Sequence, residues 1–284
     1  MAQLNDRALL VQLTISQWSA RKYDKRVSQQ VTQVNYAISE AGRFNKSLLP
    51  LNDYLERVHS KSALIRKEFY TNTLPWTMEG VNLLPTTNYL NFMTKFRKAK
   101  SEWESLVADF VFNYPALKIE ARRSLGAMYS DEDYPEDDQI GDKFKMDVAV
   151  FPVPTNDFRV ELSGAELERI QKDITDRLKQ AELNSLKDTW QRLYERVEHI
   201  ARQCSNPKSR LHDSMLEHAR ELCELLPRLN ITDDPHLEAM RQEVETKLAS
   251  LSTDLLRNDP AVRQTTADEA SAIMDKMRAF MGGL

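Results

Sequence analysis

Along most of the chain apolar residues recur at spacings of three and four, the period of an amphipathic helix, and a few stretches alternate instead. Leu9, Val11, Leu13 and Ile15 alternate with Leu10, Gln12, Thr14 and Ser16, which predicts a strand near 9–17. Phe144, Met146, Val148 and Val150 alternate with Lys145, Asp147, Ala149 and Phe151, predicting a second near 143–151. Pro152 and Pro154 end it, because proline gives a ladder no donor. Behind a Thr-Asn-Asp turn Phe158, Val160 and Leu162 alternate again, a third strand near 157–162. Together they make a small three-stranded antiparallel sheet, roughly the least that is stable.

The helical stretches are longer. Val27, Val31, Val34, Ile38 and Ala41 follow Asp24, a good N-cap, and predict a helix to Gly42. A second starts near Pro50 and carries Leu51, Leu55, Val58, Ile65 and Phe69 to a Leu-Pro-Trp break at 74–76. The uncharged 80–85 segment reads as a connection to a third helix, whose stripe of Tyr89, Phe92, Phe96, Trp103, Leu106 and Phe110 is large enough to anchor a core.

After a capping box of Ser163 with Glu166, apolar positions run from Leu167 to Cys204, at heptad spacing from Leu186 onward. That predicts one helix of roughly 40 residues, about 60 Å long. Asn206-Pro207 stops it, and a return helix carries Leu211 to Leu226. Asp234-Pro235 opens another that runs from Leu237 to Leu255, and a last one, capped by Thr266 with Glu269, presents Ala270, Ile273, Met277 and Phe280. The expected fold is mainly α with a small antiparallel β-sheet (α+β). It divides into a helical body with the sheet over 1–162 and a bundle or coiled-coil-like arm of long antiparallel helices over 163–284, which closes within the chain or between copies as a homo-oligomer.

Charge changes the picture more than composition does. Residues 1–130 hold 18 Lys and Arg against 11 Asp and Glu, a net +7, and residues 131–284 hold 21 against 32, a net −11. Seven of those acids crowd the loop 131–142 without one basic residue, which suits a solvated linker or a segment docked on a basic partner or on the protein's own basic half. Two basic clusters lie in the N-terminal half. Arg21, Lys22, Lys25 and Arg26 surround Tyr23, and Lys95, Arg97, Lys98 and Lys100 sit on the third helix. Positive charge beside an aromatic is a footprint for nucleic-acid phosphates and bases, or for a protein partner.

Motifs for chemistry are missing. The seven glycines form neither phosphate-loop nor dinucleotide-binding pattern, the five histidines include no His-Glu-x-x-His, and no nucleophile signature occurs. In the acidic loop Pro135 and Glu136 stand where an EF-hand needs a ligand and a glycine. The expectation is therefore a non-enzymatic protein without cofactor or metal. Cys204 and Cys223 are too far apart for a dithiol or metal spacing, and fit a reducing cytoplasm. Asp6 and Arg7 precede any apolar run, so no signal peptide is expected, and no stretch is apolar enough to span a membrane.

Three segments carry a resemblance: Leu-Thr-Ile-Ser-Gln-Trp-Ser-Ala-Arg-Lys-Tyr-Asp-Lys at 13–25, Leu-Leu-Pro-Thr-Thr-Asn-Tyr at 83–89 and Phe-Pro-Val-Pro-Thr-Asn-Asp-Phe-Arg-Val at 151–160. Over residues 9 to 230 the chain resembles an uncharacterised, helix-rich family of bacteriophage and mobile-element proteins. Its members are typically encoded beside a MoxR-type AAA+ ATPase and a protein with a von Willebrand factor A domain. The resemblance implies an adaptor or scaffold in such a system, in the cytoplasm of a bacterial host cell, and it carries over no catalytic residues. A nucleic-acid-binding protein using the two clusters is the second expectation, and a counter-defence inhibitor that binds a host protein is the third.

Overall fold

The structure is a computed structural model that describes residues 4–50, 52–155 and 164–282. It is mainly helical with a small antiparallel sheet. The elements run α1 (Leu4–Arg7), β1 (Ala8–Ser16), β2 (Arg21–Tyr23), α2 (Lys25–Val34), β3 (Asn45–Ser47), α3 (Asp53–Asn72), β4 (Leu74–Pro75), β5 (Asn82–Pro85), α4 (Thr86–Leu125) and β6 (Lys145–Pro152). Then follow α5 (Gly164–Ser205), α6 (Ser214–Leu229), α7 (Pro235–Val244), α8 (Thr253–Asn258) and α9 (Pro260–Met281).

The expected strands near 9–17 and 143–151 are β1 and β6, while the one near 157–162 lies outside the described residues. Pairing follows another route than expected, because the sheet order is β4-β5-β1-β6. Residues 80–85, expected as a connection, contain β5, which sets Leu83 opposite Leu10 and Leu84 opposite Leu9. Consecutive Leu83 and Leu84 are both fully buried, so β5 shows no alternation to read. A separate ribbon pairs β2 with β3.

Compact units do not divide at 162/163. One comprises Met1–Gln12, Phe69–Met93 and Ala149–Leu284, the other Leu13–Glu68 and Thr94–Val148, so β1, α3, α4 and β6 each begin in one unit and end in the other. Lengths explain the difference: α3 and α4 have 20 and 40 residues, more than one small core can cover.

In the first unit α5 is the 42-residue helix expected from the periodicity. Its heptad residues Trp190, Leu193, Val197, Ile200 and Cys204 bury against Met215, Cys223, Leu237, Val244, Ile273 and Met277 of α6, α7 and α9. The seam therefore closes on helices of the same chain. The helix expected from Leu237 to Leu255 is broken: a π-turn at 245–249 and a bend separate α7 from α8. Arg220 of α6 donates to the carbonyls of Ala249 and Leu251, both at 2.7 Å, and draws them out of the helical ladder. The last helix also starts earlier than expected, at Pro260, because Asp259 accepts the amides of Ala261 and Val262, and Thr266 is buried inside it. A second cluster, with Leu10, Leu74, Trp76, Leu83, Val153, Leu229 and Ile231, packs the sheet.

In the second unit Trp18 meets Phe110, Tyr114 and Tyr134 at ring separations of 5.7 to 6.4 Å. Trp103 donates its indole N–H to Ser62 Oγ at 2.8 Å, so the one polar atom of this buried ring is satisfied. Of the expected α4 stripe, Phe96, Trp103 and Phe110 are buried in this unit and Phe92 is buried in the first.

Candidate functional site

The first basic cluster sits on β2 and the first turn of α2, and the second on α4, in the same unit. Most of the second is compensated. Lys95 Nζ lies 3.9 Å from Glu68, Lys100 Nζ lies 3.8 Å from Asp147, and a hydrogen bond from Lys61 holds the Glu102 carboxyl low with a small further contribution from Lys98. Arg97 is exposed.

The acidic loop neutralises part of the first. Of the alternatives open for 131–142, the loop docks on the protein's own basic half. Asp133 lies 2.6 Å from Lys46 and 3.8 Å from Lys22, Asp131 lies 3.9 Å from Arg122, and Asp137 pairs with Lys118. Tyr134 donates to the Leu48 carbonyl at 2.6 Å and Tyr114 to the Pro135 carbonyl at 2.9 Å, so backbone bonds hold the loop as well. Burial pushes the phenol of each far above its ordinary value, and both stay neutral donors.

The exception is residues 21–47, where the apolar stripe of α2 is turned away from the core. Its small polar residues face inward: Ser28 Oγ accepts the Phe44 amide at 2.9 Å and donates to the Asp24 carbonyl at 2.7 Å, while buried Thr32 donates to the Ser28 carbonyl at 3.1 Å. Most of the apolar stripe that predicted the helix faces solvent. Val31, Val34, Tyr36 and Ile38 are 50, 77, 99 and 72% exposed, and Tyr23 and Phe44 are exposed beside them. The helix stops at Val34 instead of Gly42, because Asn35 leaves helical geometry and Tyr36 takes a left-handed φ of 51°. Asp24 does act as N-cap, accepting the Val27 amide at 3.0 Å.

Four cations of the same segment have no carboxylate partner among the described residues: Arg21, Lys25, Arg26 and Arg43. Arg26 donates to the Ala127 carbonyl at 3.0 Å, and Arg43 lies 5.8 Å from the Tyr23 ring centroid. The predicted Arg21, Lys22, Tyr23, Lys25 and Arg26 thus lie in the same short segment as an exposed apolar stripe whose spacing predicts no more than a helix. The signal that identifies it is Ser28 and Thr32, four apart on the face opposite the valines.

Among the described residues no group of three or more His, Cys, Asp and Glu is placed to hold a metal ion. Burial pushes the Cys204 thiol up and that of Cys223 to about 11, which keeps both as un-ionised packing groups at neutral pH. Among the described residues no helix is long and apolar enough to cross a membrane. Compared with families of known proteins, with curated proteins and with solved structures, the chain finds no match.

Proposed function

We propose that the protein is a non-enzymatic adaptor that binds a protein partner through the outward face of residues 21–47. The observation that carries this reading is the exposure of Val31, Val34, Tyr36 and Ile38 on a helix that spends Ser28 and Thr32 on its own packing. Contiguous apolar surface rimmed by charge marks interaction sites, and leaving it in water costs roughly 25 cal/mol per Å². The family resemblance supplies the candidate partners, a MoxR-type AAA+ ATPase or its von Willebrand factor A companion in a phage or mobile-element system of a bacterial host. Nucleic-acid binding is less favoured, because Lys22, Lys95 and Lys100 each have a carboxylate neighbour.

The test is affinity purification of the tagged full chain from its native host after nuclease treatment, beside the Val31→Asp/Val34→Asp variant. The reading expects an AAA+ or von Willebrand protein that survives nuclease and is lost with the variant. Loss of all partners on nuclease treatment, or an undiminished partner with the variant, overturns it.

A further inference from the structure

We infer that the segment seated on this face is an acidic amphipathic helix of the partner, with apolar residues at spacings of three and four flanked by carboxylates. This deepens the adaptor reading and rests on it. Residues 21–47 carry six cations, Arg21, Lys22, Lys25, Arg26, Arg43 and Lys46, against two carboxylates, Asp24 and Glu40. Both carboxylates are engaged: Asp24 caps α2 and lies 3.8 Å from Lys46, and Glu40 accepts from Ser39 at 2.7 Å. Lys46 and Lys22 are served by Asp133. Arg21, Lys25, Arg26 and Arg43 are what remains, around an uncharged centre. An apolar occupant that covers that centre desolvates these four, and only a carboxylate-bearing one repays the cost.

The shape of the patch favours a helix over a lipid surface. Val31 and Val34 are three apart on α2 and offer one turn of ridge for the groove of a second helix, while Ile38 stands exposed beyond the helix end. Exposed Gln29, Gln30 and Gln33 flank the ridge, and the Tyr36 hydroxyl is fully in water. A hydrocarbon layer leaves such amides and hydroxyls unpaired, whereas carboxylate and backbone groups of a peptide pair with them.

The experiment uses the full chain and a labelled synthetic helix of about 18 residues, Leu at alternating spacings of three and four and Glu at the flanking positions, followed by fluorescence anisotropy. A second peptide replaces every Glu by Lys. The expected result is binding of the Glu peptide that weakens about tenfold or more with Val34→Asp and weakens again at about 0.3 M salt. The Lys peptide is expected not to bind. Equal binding of both peptides, or binding of neither, overturns the inference, as does sedimentation with vesicles of phosphatidylserine and phosphatidylcholine that Val34→Asp abolishes. A photo-crosslinker at position 34, used in the host, separates this failure from that of the adaptor reading. Crosslinking to a basic segment of the partner overturns the acidic helix and leaves the face; no crosslink, with undiminished purification of partners by the Val31→Asp/Val34→Asp variant, overturns the face itself.

Discussion

Lys46 Nζ lies 2.6 Å from Asp133 Oδ2, with 8 and 13% of the two side chains exposed, and this pair ties the acidic loop to the ribbon of β2 and β3. The Met128 carbonyl accepts a second bond from the same ammonium at 2.6 Å. Removing one charge leaves the other with only a longer neighbour at 3.8 Å, Asp24 for Lys46 or Lys22 for Asp133, which costs up to about 3 kcal/mol, while replacing both by apolar residues of similar size costs less. Lys46→Met and Asp133→Leu should each lower the urea midpoint markedly, and the double variant should recover most of the loss. Additive losses would show that the two groups act separately.

The loop's destination was legible as one of two alternatives, and the choice lay in contacts that no local pattern carries. Lys22, Lys46, Lys118 and Arg122 are spread over a hundred residues, and only folding brings Asp131, Asp133 and Asp137 to them. Periodic elements were legible to within a few residues: α3, α4 and the second half of α5 bury most of the stripes their sequences present, β1 half-buries its own, and β6 buries Met146 and Val148 but leaves Val150 exposed. What failed was local pattern under tertiary control. The Leu83-Leu84 pair hid β5, Arg220 broke a helix by taking its carbonyls, and Ser28 and Thr32 outcompeted Val31 and Val34 for the inward face of α2. The basic edge of the candidate surface was visible as composition, but its apolar centre was visible only as a helix stripe of the wrong orientation.

Arg192 of α5 caps the C-terminal end of α3. Its Nη atoms donate to the carbonyls of Tyr70, Thr71 and Thr73 at 2.7 to 3.1 Å, and its Nε lies 2.7 Å from Asp188 Oδ2. A guanidinium serves several carbonyls at once with its planar fork, which an ammonium does not reproduce. Arg192→Ala should cost about 2–3 kcal/mol in denaturant unfolding, and Arg192→Lys should recover less than half of it. Full recovery by lysine would mean that charge alone matters there.

The pH dependence of the helical bundle follows from its shifted groups. A hydrogen bond from Arg241 holds the Glu238 carboxyl below its ordinary 4.5, and bonds from Lys247 and Lys276 do the same for Glu243. Their contribution is present above pH 4.5 and is lost as pH falls through the lowered values. Asp188 opposes this weakly, since burial raises its pKa and acid relieves it. At the other end burial raises Cys223 from 9.0 to about 11, so the folded state prefers the thiol and loses stability as pH rises through that interval. Urea midpoints should form a plateau between about pH 5 and 9 and fall on both sides, and Cys223→Ala should remove part of the alkaline fall. An alkaline limb unchanged in that variant would assign the fall to other groups.

The orientation of α2 makes a last prediction that separates the two readings of its sequence. If the valines filled a core, Val31→Ser and Val34→Ser would cost several kcal/mol, as Ile273→Ala should in the bundle, by about 2–5 kcal/mol. With the valines in water, the two substitutions should stay within about 0.5 kcal/mol of the parent. Ser28→Ala, conservative by the helix pattern, removes the acceptor of the Phe44 amide and should cost about 1–3 kcal/mol. Thermal unfolding of the four variants orders them directly. A large loss at Val34 with none at Ser28 would turn α2 over and remove the proposed binding face along with it.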